Sequence, residues 1–412
     1  MKILCAFGQH NYGDPGRGEG YEYSNFISTL RGLGHEVIHF ETWRRDKYSD
    51  FAELNLEFLR TVERENPELI FCVLMQYELW LETLELVRRA CPAIMVNWST
   101  DDSWKYAQFS RFVAPVFHLY VTTSHEAMQK SREAGLSNFF LTQWAAGDKH
   151  LYAPTPSVQC RYQVSFVGSA YGNRPHWIVE LGKRGIEVAC FGHGWPNGPV
   201  ATADVIRIIR ESVISLNFGD SGIVLDGFIP RRSRQIKARI FEVPGAGGFL
   251  LTERADYLDR YYSPGKDISV FEGIDELVDK IRYFLANPRE RDDIARTGHV
   301  RTLQEHTYAS RFQLLFKEIA RIKSEDGTRV ENAAGNCRIN FSHFEACTVT
   351  HKIGWFHRIL RGCLLSASIA LFGRKKGSRA ARRLMFEISW RVVGARTYRA
   401  SGLPGRLFYK ES

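Results

Sequence analysis

Short apolar runs alternate with longer segments of helical period from residue 2 onward, and that rhythm restricts the chain to few architectures. Strands are predicted at 2–7, 36–40, 69–74, 93–98, 118–122 and 138–142, with helices at 21–33, 51–65, 78–90, 103–113 and 124–134 between them. Strand then helix, repeated, builds a parallel sheet covered by helices on both faces. The rhythm restarts near residue 160, with apolar runs at 164–167, 186–192, 212–218, 249–253 and 267–271 and helices at 175–184, 274–286, 288–298 and 305–323. A chain of 412 residues also exceeds what one core organises. The expected division is 1–155, 156–325 and a C-terminal extension, 326–412.

Ligands of such sheets bind beyond the carboxyl ends of the strands, so the residues there carry the functional reading. After the first strand comes a glycine-rich loop, Gly8 to Gly20. It is not a phosphate-binding Walker loop, because no Gly-Lys-Ser/Thr follows. Nor is it a dinucleotide fingerprint, since Gly16, Gly18 and Gly20 are spaced wrongly and stand too far from the strand. Glu41, at the end of the second strand, does stand where a ribose-binding acid would, which keeps a nicotinamide-dependent oxidoreductase as a third reading. His10 in this loop is a candidate polar cleft residue. After the fourth strand, Val96-Asn-Trp-Ser-Thr-Asp-Asp-Ser-Trp104 sets Asp101 and Asp102 beside two indoles. Apolar neighbours and a like charge raise a carboxylate pKa toward the range useful to a general base on an acceptor hydroxyl. One of the pair is expected to cap the next helix, leaving Asp101 as the functional member.

In the second half, Val164-Ser-Phe-Val-Gly-Ser-Ala-Tyr-Gly-Asn-Arg174 reads as strand, turn and helix start. The amides of Gly168 and Ser169, with Arg174 as a forked donor, make a resting place for a diphosphate. Residues 236–253 read as helix, tight glycine turn and buried strand. Lys237, Arg239 and Glu242 fall within one and a half turns, and Gly245, Gly247 and Gly248 remove side chains that would hold a bound group away from the backbone.

Eight cysteines are scattered without a C-x-x-C pair, so neither a disulfide framework nor a zinc knuckle is indicated and a reducing cytoplasm is expected. The N-terminal apolar run is too short for a signal peptide, and no uncharged stretch approaches the ~20 residues needed to span a bilayer. The net charge of +9 is unevenly placed: residues 331–412 hold 15 Lys/Arg against 4 Asp/Glu, and the rest 40 against 42. The main body therefore gives no electrostatic reason to expect nucleic acid.

Phe166-Val-Gly-Ser with Arg174, Ser215-Leu-Asn-Phe218, Lys237 to Glu253, Gly265 to Phe271, Asp275 to Lys280, Ile294 to Gly298 and Glu305-His-Thr-Tyr308 together resemble the CgeB-like (spore maturation) group of glycosyltransferases, relatives of the retaining GT-B enzymes. The resemblance spans about residues 1–323 and includes Trp98 to Asp102. It implies a GT-B fold of two facing Rossmann-like domains, with the acceptor on the first and a nucleotide-sugar on the second as co-substrate. It further implies no cofactor and usually no essential metal. Glu242 then matches the carboxylate on the nucleotide ribose, and Arg174 the cation on the diphosphate. At the position of the family's first glutamate this chain has Arg234, which leaves Asn217 and the small residues Gly245 to Gly248 to hold the donor sugar. The acceptor, whether glycan, lipid or protein, is not named by the residues, and a catalytically silent nucleotide-sugar or glycan-binding module is the alternative.

Beyond the resemblance, Glu331 to Asn336 reads as a linker. An apolar helix, Trp355 to Phe372, then precedes Arg374-Lys-Lys-Gly-Ser-Arg-Ala-Ala-Arg-Arg383. Residues 355–383 fit an interfacial segment on an anionic membrane, at its inner face, and equally a helical hairpin packed on the body; a partner-protein dock comes third.

Overall fold

The computed structural model describes residues 1–226, 229–325 and 336–410, so the expected linker lies, apart from Asn336, outside the described residues. The chain forms two compact units: residues 1–142 together with 315–412, and residues 143–314.

In the first unit six parallel strands, β1 (Lys2–Ala6), β2 (Glu36–Phe40), β3 (Leu69–Cys72), β4 (Ile94–Ser99), β5 (Leu119–Thr122) and β6 (Phe139–Leu141), lie in the order β2-β1-β3-β4-β5-β6. Every residue of β3, β4 and β5 is buried, as continuous apolar runs covered on both faces require. The chain steps to opposite sides of β1 when it forms β2 and then β3, and the crevice at such a reversal is where doubly wound sheets bind ligands. The Phe51–Glu65 helix shows how the covering layer is specified. Asp50 caps it by accepting from the Glu53 amide, Asn66 ends it in the left-handed region, and Phe51, Leu54, Phe58, Leu59 and Val62 form the buried face. The segment predicted as a helix over 21–33 forms with a wide turn at Tyr23–Ile27, and that over 103–113 with one at Tyr106–Ser110.

The C-terminal residues expected to stand apart are part of this unit. Cys337, Ile339, Phe344, Cys347, Phe386, Tyr398, Ala400 and Tyr409 lie in its core, beside Phe51, Trp80 and Phe109. Tyr409 stacks on Phe51 with ring centroids 5.1 Å apart, and Phe344 on Trp80 at 5.6 Å. The buried Arg45 donates to the Tyr409 carbonyl at 2.9 Å, and Arg399 pairs with Glu85 at 2.7 Å. A disulfide joins Cys91 to Cys337, which the scattered cysteines did not signal because the partners are 246 residues apart. The sequence reading made these residues an extension and left packing on the body only as one of two equal alternatives, because their aromatic anchors are single residues spread between polar ones, below the threshold of any periodic pattern.

In the second unit β7 (Tyr162–Val167), β8 (Ala189–Phe191), β9 (Ser212–Asn217), β12 (Leu250–Glu253) and β13 (Ser269–Phe271) form a parallel sheet in the order β13-β12-β9-β7-β8. An antiparallel hairpin, β10 (Asp220–Asp226) with β11 (Ile229–Arg234), and a Thr202–Arg210 helix are additions the periodicity did not reveal. Here the reversal falls between β7 and β9, which places Gly168 and Asn217 at the predicted crevice.

Candidate active site

In the second unit the loop after β7 is tightly held. The Gly168 amide, expected to face a diphosphate, donates to the Phe191 carbonyl at 2.8 Å, and the Trp195 indole donates to the Gly168 carbonyl at 2.7 Å. Gly192, at φ +128°, lies so close over this loop that a Cβ there would stand 2.4 Å from the Gly168 oxygen. The expected amide cradle is therefore closed at Gly168 by the chain's own β8 turn. Arg174 opens the Arg174–Lys183 helix, is buried, donates to the Ser169 carbonyl at 3.0 Å and lies over the Tyr171 ring at 4.1 Å. Its charge is fixed beside the loop, as a cation serving a diphosphate must be.

Asn217 is buried, and its amide donates to the Thr252 hydroxyl at 2.9 Å across the β9–β12 register. It ties the two strand ends together rather than presenting a free amide to a sugar. The glycine turn differs from expectation in the same way. A Cβ at Gly247 would stand 2.5 Å from the Tyr152 oxygen, and one at Gly248 2.6 Å from Ile209. The space their missing side chains leave is filled by the protein, so they serve the helix-to-strand junction. On the Arg239–Gly245 helix, Arg239 and Glu242 form an ion pair at 3.0 Å with both side chains partly exposed, and Lys237 precedes them, half-buried. Burial is the main force lowering the pKa of His150, and the charge of Glu242 opposes it.

The acid that sequence reasoning missed is Glu253. It ends β12 with its side chain 1% exposed, accepts from the Gly219 amide at 2.9 Å and pairs with Arg234 at 3.1 Å. Arg234, noted only as a departure from the family pattern, thus has a carboxylate partner from another strand. A single charge closing an otherwise apolar run was the available signal. Within the Glu305-His-Thr-Tyr308 motif, His306 is pushed down to about 4 by burial; it packs among the rings of Phe241, Tyr261 and Tyr262 and bonds to the Tyr261 carbonyl and to Arg311, a structural set of contacts.

In the first unit Asp101 is the residue before the short Asp102–Lys105 helix, and its carboxylate makes no capping bond, which leaves it for other work. Asp102 does not share that freedom. It is buried, accepts from Ser99 at 2.6 Å and from Ser110, and Ser110 in turn accepts from Tyr120 at 2.8 Å. Burial raises its pKa against those hydrogen bonds, both of which fall on Oδ1. Two further groups accompany Asp101. Glu22 is half-buried, and burial together with the Asp101 charge pushes its pKa up to about 7. Lys105 is buried over the Trp104 ring at 4.5 Å, and burial pushes it down to about 8 while Glu78, Asp101 and Glu387 hold it up. Glu22 and Lys105 thus both feel the charge of Asp101, and displaced pKa values of this kind occur in sites that move protons and in structural charge networks alike. His10 sits half-buried in a bridge with Glu19, and among the described residues no hydrogen bond or ion pair joins it to either aspartate. Glu41 accepts from the amides of Gln9, Trp43 and Arg44, which commits most of its acceptor sites to loop backbone and weakens the main support for the oxidoreductase.

Among the described residues no group of three His, Cys, Asp or Glu is placed to hold a metal ion. A groove of about 750 Å³ lies beside β13, lined by Arg254, Glu272, Glu276, Lys280 and Tyr283, and does not include the residues above.

Solved structures with the same pair of units decide the fold. A sucrose-phosphate synthase from Thermosynechococcus elongatus superposes with a TM-score of 0.56 at 10% identity, covering 78% of this chain and 100% of that one. HepE from Anabaena in complex with UDP-glucose gives 0.53 at 13% identity, with the same coverage. The fold is GT-B. A glycosyltransferase from Rickettsia africae shares this GT-B fold, with a TM-score of 0.52 at 11% identity over 78% of this chain and 98% of that one. Residues 174–317 match the glycosyl transferase-like family model. No curated protein matches the sequence. The matched region covers Arg174, Asn217, Arg234, Arg239, Glu242 and Glu253, so the GT-B unit that carries the family signal also carries the charged groups described above.

Proposed function

We propose that this chain is a CgeB-like glycosyltransferase that moves a hexose from a nucleotide-sugar to a hydroxyl of a glycan, lipid or protein acceptor, with retention at the anomeric carbon and without a metal or cofactor. The observation that carries the reading is the coincidence, in one unit, of the matched region with Arg174, Arg234 and Glu253 at the carboxyl ends of a parallel sheet and the Arg239–Glu242 pair on the helix entering β12. Negative charge grows on a departing diphosphate as the glycosidic bond breaks, and fixed cations that need no reorganisation lower that barrier. Arg174 is such a cation, Lys237 a second, and Glu242 accepts from the ribose hydroxyls. On the acceptor side Asp101, with Glu22 poised near neutrality, takes the proton of the attacking hydroxyl. A uridine nucleotide is the first donor to test, because HepE was solved with UDP-glucose. The reading keeps the protein in the cytoplasm, and the Cys91–Cys337 disulfide argues against a reducing compartment; alkylation during lysis followed by mass analysis decides between them.

The experiment is incubation with a panel of UDP-sugars, following released UDP, with the anomeric proton of the product read by NMR. Release of UDP from one sugar supports the proposal. UDP binding without release from any donor leaves a nucleotide-sugar-binding module in its place.

A further inference from the structure

The Trp355–Phe372 helix packs the apolar side chains of its middle and leaves those of its two ends exposed. Leu360, Leu364 and Leu365 pack against Met385, Leu403, Leu407 and Phe408, and Arg361 donates to the Leu407 carbonyl at 2.8 Å. Trp355, Phe356 and Ile359 in its first turns and Leu371 and Phe372 at its end are all exposed, with Trp355 at 75% and Leu371 at 78%. The neighbouring Arg374–Val393 helix adds exposed Leu384, Ile388 and Val392 at four-residue spacing. Exposed apolar side chains in such a group mark an interaction site. Charge identifies what it meets. Residues 346–386 hold nine Lys/Arg and no Asp/Glu, and Arg358, Arg374, Lys376, Arg379 and Arg383 are exposed. Glu387, the next acid, is paired with Arg391.

We propose that these two helices dock the protein on an anionic membrane surface, lying in the headgroup region. A second copy of the chain would set one cationic cluster against another, which like-charge repulsion opposes. An anionic lipid surface supplies negative headgroups for the cations and an acyl boundary for the aromatic and aliphatic face, with Trp355 at the level where indoles concentrate. Among the described residues no helix is long and apolar enough to cross a membrane, so the association is peripheral. The same helices pack within the first unit through Leu360, Leu364, Leu365 and Met385, so hairpin packing and membrane contact use different side chains of one element. The inference rests on surface composition alone and is independent of the donor chemistry.

The test is co-sedimentation of the full chain with vesicles of phosphatidylcholine alone or with about 30% phosphatidylglycerol. The proposal expects pelleting only with the anionic vesicles, weakening as ionic strength rises past ~0.15 M. Replacing Arg374, Lys376, Arg379 and Arg383 with Gln should reduce partitioning by about five-fold for each cation removed. A variant carrying Trp355→Ser, Phe356→Ser and Phe372→Ser should lose binding with little change in melting temperature, since these side chains are mostly exposed. Pelleting of the serine variant like the parent, equal pelleting with neutral vesicles, or concentration-dependent dimerisation abolished by the serine variant would each overturn it.

Discussion

The Nε of Arg234 lies 3.1 Å from Oε1 of Glu253, so the position at which related enzymes carry an acid is here a base held by an acid from another strand. The carboxylate also accepts from the Gly219 amide at 2.9 Å, which binds the hairpin entrance to the end of β12. Glu253→Ala therefore leaves a buried amide and a half-exposed guanidinium without their acceptor. A stability loss of about 2 kcal/mol is expected in denaturant unfolding, together with weaker donor binding. Glu253→Gln keeps an acceptor for Gly219 and should recover part of the stability but not the affinity.

Glu242→Gln should weaken intact nucleotide-sugar and free nucleoside diphosphate alike, by about ten-fold, because ribose contacts are common to both. Calorimetry on the two ligands checks it. Loss for the sugar nucleotide alone would move Glu242 from the ribose to the sugar.

The C-terminal residues should be indispensable to the first unit. Tyr398 is buried, lies 5.1 Å from Phe109 and donates to the Gln108 carbonyl. Tyr398→Ala is expected to cost about 3 kcal/mol in denaturant unfolding. A chain ending at residue 335 should melt well below the full chain or fail to fold.

Much of this fold was legible because apolar periodicity is dense: all six strands of the first sheet and all five of the second fall on runs visible in the sequence. The β10–β11 hairpin was not, since Ile229-Pro-Arg-Arg-Ser-Arg234 has no strand-like alternation. Of the candidate site, Asp101, Arg174 and Glu242 were named from the sequence by position after a strand or in a motif. Glu22, Lys105 and Glu253 were not, because their significance comes from burial and from partners distant in sequence, which spacing does not encode. Gly247 and Gly248 were misread since a small residue admits a ligand or a neighbouring backbone equally well, and only packing distinguishes them.

Glu22 supplies a pH dependence with a defined sign. Its folded pKa, about 7, lies above the ordinary carboxylate value, so the folded state binds the extra proton and stability is lost as pH rises through 7. Glu22→Gln should therefore raise stability near pH 8, by up to about 3 kcal/mol, with little gain near pH 4. If Glu22 works with Asp101, the same variant should lower transfer and flatten its pH profile around 7. Asp101→Asn should shift that limb to lower pH by removing the like charge, while nucleotide binding stays intact.

The most direct test of the whole account is release of UDP from a UDP-sugar by the full chain, compared with its Arg174→Ala variant in the same assay. The account predicts measurable turnover by the parent, and in the variant a fall in turnover greater than the fall in donor affinity, because the guanidinium opposes charge that develops only as the bond breaks. Failure of the parent chain to bind or cleave any nucleotide-sugar, or an Arg174→Ala variant with unchanged turnover, would contradict it.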